Sequence, residues 1–60
     1  MTSAELRKEV NRRMRGYKNK YDSTYLRVVT MITVANNVPV SEGVLIAWYN
    51  YCLSLLPPVD

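Results

Sequence analysis

Sixty residues with a net charge of +3 allow one domain at most, because a chain this short buries only ~60% of its unfolded surface around a core rarely worth more than about 3–5 kcal/mol. A single cysteine, Cys52, and the absence of histidine exclude an intrachain disulfide, a Cys/His zinc site and any Ser–His or Cys–His pair. Glu5, Glu9, Asp22, Glu42 and Asp60 are too scattered for a paired-carboxylate site, so no enzyme, metal or cofactor is expected, and association remains as the staple a chain this small needs.

The first segment is expected to be helical over about residues 3–18. Thr2-Ser3-Ala4-Glu5 has the pattern of a capping box, in which the threonine accepts from the third N–H and the glutamate reaches back. Leu6, Val10, Met14, Tyr17 and Tyr21 recur at spacings of four, four, three and four, which makes one apolar stripe. Glu9 stands one turn before Arg13, an orientation that helps a helix slightly. Gly16 weakens the segment, so the helix ends near it or continues towards Lys20.

Seven of the eight basic residues crowd this segment: Arg7, Lys8, Arg12, Arg13, Arg15, Lys18 and Lys20. They surround the apolar stripe from its other sides. One reading is a solvated face that keeps a small protein soluble. A second is an electrostatic footprint for phosphates or an acidic protein surface, with Arg12, Arg13, Arg15 and Lys18 as contacts; a third, a membrane surface, is disfavoured by the narrow, tyrosine-bearing stripe.

The second helix is expected over about 23–37, capped by Asp22 or Ser23. Tyr25, Val28, Val29, Ile32 and Ala35 share one face with Met31 at its edge. Arg27, Thr30, Thr33 and Asn37 share the opposite face, interrupted by Leu26 and Val34. The β-branched content makes a strand over 25–34 a competitor, but adjacent apolar pairs such as Val28-Val29 break strict alternation and favour a helix. Val38, placed before Pro39, is pushed away from helical angles and should end it.

The third helix is expected over about 42–56, capped by Ser41 with Glu42 in its first turn and stopped by Pro57-Pro58. Eleven of the thirteen residues from Val44 to Leu56 are apolar, and only Gly43, Ala47, Asn50 and Ser54 form a thin small-or-polar stripe. A helix apolar almost all round belongs inside a larger core or in an interface. Trp48, Tyr49, Tyr51, Leu45 and Leu55 are the candidate interface residues. Cys52 reads as a small buried hydrophobe. Thirteen residues are too few to span a bilayer, which takes ~20, and no apolar N-terminal core suggests a signal peptide. A cytoplasmic protein without a membrane partner is the expectation.

Val34-Ala35, the run Val38-Pro39-Val40-Ser41-Glu42-Gly43-Val44-Leu45, and Trp48-Tyr49 together resemble the helix-turn-helix of TetR-type repressors. The resemblance covers about a quarter of the chain, around residues 34–49. It implies that Val34, Ala35, Val38, Val40, Leu45 and Trp48 pack two helices together. It also implies DNA as a ligand, with Asn50 the nearest base-reading side chain. Pro39 departs from the pattern, standing where such turns usually carry a glycine at positive φ.

The whole is expected to be an all-α, single-domain three-helix bundle, open to oligomerisation. Its leading functional expectation is a protein-interaction module, a regulator, inhibitor or adaptor of the kind phages and mobile elements carry. Its apolar third helix would contact a second copy or a larger protein. A DNA-binding helix-turn-helix protein and a small virion subunit are the alternatives.

Overall fold

The computed structural model describes residues 2–58. Its elements are α1 (Ser3–Arg15), α2 (Ser23–Asn37) and α3 (Glu42–Leu55), with no strand among the described residues. The chain is an all-α three-helix bundle, and residues 25–34 are helical.

Each helix starts on the side chain that the sequence offers. Thr2 and Glu5 form the capping box at α1. Asp22 accepts from the Thr24 N–H at 2.8 Å, and Ser41 accepts from the Val44 N–H at 3.3 Å. In α2 the hydroxyls of Thr30 and Thr33 donate back to the carbonyls of Leu26 and Val29 at 3.0 and 2.9 Å. Both hydroxyls thus find their partners within the helix that carries them. Val38, with φ −115° and ψ 126°, ends α2 one residue before the proline.

α1 stops at Arg15, short of the expected residue 18, and Gly16 is its C-cap. The Lys20 ammonium reaches back to the Met14 carbonyl at 2.8 Å, a second donor there beside the Tyr17 N–H at 3.1 Å. The helical register is therefore lost before Tyr21. That side chain, placed by spacing on the apolar stripe, is 90% exposed. Tyr17 stays with the core and ties the connector together. Its hydroxyl donates to Asp22 at 3.1 Å and its ring lies 5.4 Å from that of Tyr25.

α3 runs parallel to α1. Glu42 in its first turn accepts from the N–H and hydroxyl of Ser3, each at 2.8 Å, and eleven residues later the Leu53 carbonyl accepts from Arg13 at 3.3 Å. α2 returns antiparallel between these two passes and packs on α3. The buried core is Leu6, Val10, Val28, Tyr49, Cys52 and Leu56, drawn from all three helices. By the chain's size this is a small core, and much apolar surface stays outside it.

Candidate functional site

The third helix turns its small stripe outward. Gly43, Ala47, Asn50 and Ser54 are all exposed, while Tyr49 and Cys52 are buried and Ile46 and Leu53 half-buried. A Cβ added at Gly43 would meet nothing within 4 Å, so the stripe makes no close helix approach within this fold.

The candidate interface residues therefore separate. Tyr49 is 3% exposed and belongs to the core, so its ring is not offered to a partner. Leu45, Trp48 and Leu55 are half-buried and pack against that core. Trp48 also donates its indole N–H to the Met31 carbonyl at 2.9 Å, which fixes α3 to α2. Only Tyr51, at 51%, is a largely exposed side chain of that group.

Part of the exposed apolar surface, besides Tyr21, Leu26, Val44 and Tyr51, lies at the corner where α2 turns into α3. Val34, Val38 and Val40 are each 40–48% exposed there. They join Ala35, Leu45 and Trp48 to line a cavity of about 250 Å³ without a single charged or polar side chain. These six are the residues that the helix-turn-helix resemblance assigns to packing the two helices together. Here they leave a pocket open instead. The turn contributes to this: Val38 is extended, and no described residue has a positive φ, so the tight glycine-type reversal is absent. An apolar turn is itself the signal in the sequence, because Val38-Pro39-Val40 puts side chains that favour burial where turns are usually polar.

The four cations proposed for acidic contacts also separate. Glu9 holds Arg12 at 2.7 Å and Arg13 at 2.8 Å. These guanidiniums lower the Glu9 carboxyl from its ordinary 4.5 to about 2. Arg13 is further committed to the Leu53 carbonyl. Arg15 and Lys18 are exposed and make no ion pair among the described residues. Asn50 is exposed beside a shallow groove lined by Glu5, Leu6, Glu9, Arg13 and Leu53. α3 carries no lysine or arginine, and its one charge, Glu42, is engaged by Ser3, whose donors lower that carboxyl's pKa.

Burial raises the pKa of the Cys52 thiol, which lies 4.0 Å from the Met31 sulfur. Among the described residues no group of three potential metal ligands converges. Among the described residues no helix is long and apolar enough to cross a membrane. No protein-family model, curated protein or solved structure matches the chain.

Proposed function

We propose that this chain is a non-enzymatic protein-interaction module whose contact surface is the α2–α3 corner, and that the occupant is a second copy of the chain. The observation that carries the reading is the open cavity lined by Val34, Ala35, Val38, Val40, Leu45 and Trp48. At about 250 Å³ it is smaller than the ~300–1,000 Å³ typical of small-molecule pockets, and it has no polar side chain to orient such a ligand. It suits apolar side chains of another protein.

Charge placement favours a second copy. The parallel pairing of α1 with α3 puts Arg12, Arg13 and Arg15 at the end where Leu53 lies and Arg7 and Lys8 near the middle of α1, whereas the corner sits around the start of α3, which carries no lysine or arginine. Two chains of charge +3 can then join through an uncharged surface with their basic ends apart. Burying the exposed valines of both copies would also supply the apolar burial that a chain of this size lacks.

Light scattering across a concentration series tests this, on the protein and on Val38→Glu. Val38 is 48% exposed, so the substitution is expected to leave the helices intact while placing a charge in the contact. Loss of the dimer with an unchanged helical circular dichroism spectrum is the expected result.

A further inference from the structure

We propose a second, independent surface: the outward face of α1 is a binding face for the phosphodiester backbone of a nucleic-acid duplex, read without sequence preference. The residues are Arg7, Lys8, Asn11 and Arg15, continued by Lys18 just beyond the helix. On a helix wheel the four helical positions fall within about 100° of one another, and all five residues are exposed. No acidic residue lies in that sector. The two acids of α1 lie beyond it, with Glu5 in the capping box and Glu9 occupied by Arg12 and Arg13. Arg7, Lys8, Arg15 and Lys18 make no ion pair among the described residues.

Helix stabilisation does not account for this set. Cations favour the last turn of a helix, which suits Arg12, Arg13 and Arg15, but Arg7 and Lys8 lie in the first half of α1. Nor does the face resemble a protein contact, which needs apolar or aromatic anchors at its centre. Its centre is Asn11, and the nearest apolar side chain in the sector is the methyl group of Ala4. What it offers is donors. Arginine presents planar forks, lysine an ammonium and asparagine an amide, from Arg7 to Arg15 over about 12 Å of helix. A duplex carries one negative charge per ~1.7 Å of axis, so several phosphates pass such a face at once. Base reading needs side chains placed in a groove, and α3 supplies no cation for it; positioning on the backbone is the chemistry present.

The test is fluorescence anisotropy of a labelled duplex of arbitrary sequence, titrated with the full chain at several salt concentrations. With four cations engaged per chain, log K is expected to fall with log salt at a slope of about −3 to −4. Arg7→Gln combined with Arg15→Gln is expected to reduce that slope by about 2 units and weaken low-salt binding at least tenfold. Arg27→Gln on α2 removes one equal charge from another helix and should change binding by less than Lys8→Gln does. Each position is exposed, and a thermal melt confirms that each variant is folded. Absence of duplex binding at about 25 mM salt would overturn the proposal. So would equal weakening by Arg27→Gln and Lys8→Gln, or binding to polyglutamate as strong as to the duplex. The last outcome would assign the face to an acidic protein.

Discussion

The two seams that α3 makes with its neighbours are built differently. Against α1 it runs parallel, with Leu6 and Val10 sunk beside Tyr49, Cys52 and Leu56, and with a polar tie near each end, Glu42 to Ser3 and Arg13 to Leu53. Against α2 it has one polar tie in the middle, Trp48 to Met31, and beyond that tie the seam opens into a valine-lined cavity. The closed seam carries most of the core, whereas the open one leaves apolar side chains exposed. Apolar burial decides which is which, since each tie is worth only about 1 kcal/mol net.

The largest contrast should come from Tyr49→Ala. A buried aromatic replaced by alanine costs about 3–5 kcal/mol, as much as a chain of this size holds in total. Circular dichroism is expected to show an unfolded or barely folded chain at 25 °C. An equal loss of structure in Val38→Glu would mean that the corner is core and the contrast is false.

Trp48→Phe is expected to lower stability in urea titrations by about 1 kcal/mol, through the lost indole N–H bond and a small loss of packing. It also widens the cavity, so the open seam should loosen while the α1 seam holds. Amide exchange that accelerates in α2 and leaves α1 unchanged would be the sign of it.

A smaller change of opposite sign is expected at Gly43. Its backbone is helical and open space surrounds the position, so Gly43→Ala should stabilise by roughly 0.5–1 kcal/mol through helix propensity alone. A loss of stability would show that the outward stripe is packed against something.

Acid sharpens the closed seam. Glu9 and Glu42 both have carboxyls held below their ordinary range in the folded chain, by Arg12 and Arg13 and by Ser3 respectively. A lowered folded-state pKa contributes stability that is complete above the unfolded value of 4.5 and lost as pH falls towards about 2. The urea midpoint should therefore decline between pH 5 and pH 2, and Glu42→Gln should make that decline shallower.

Much of the fold was legible because short-range chemistry specified it. The Thr2–Glu5 capping box, Ser41 as a cap, and Val38 before Pro39 each act within a few residues, so spacing alone locates them; at α2 spacing leaves Asp22 and Ser23 open, and the structure makes Asp22 the cap. Periodicity likewise identified Leu6, Val10 and Val28 as inward-facing. Tyr21 falls off the stripe because α1 ends at Arg15 with Gly16 as its cap, so the spacing does not continue helically to residue 21. The candidate interface was harder still. A helix apolar nearly all round gives no period by which to tell Tyr49, which is buried, from Tyr51, which is exposed. Only the contacts with α1 and α2 separate them. The valines of the corner are visible as residues, but their exposure depends on how α2 and α3 pack, and no local pattern encodes that.

Sedimentation equilibrium on the protein and on Val38→Glu, over concentrations from about 1 µM to 1 mM, reports whether two chains meet at the α2–α3 corner. The expected result is a reversible monomer–dimer equilibrium with Kd in the micromolar range, shifted at least tenfold towards monomer by the substitution. A single monomer mass at every concentration, or a dimer indifferent to Val38→Glu, would contradict it.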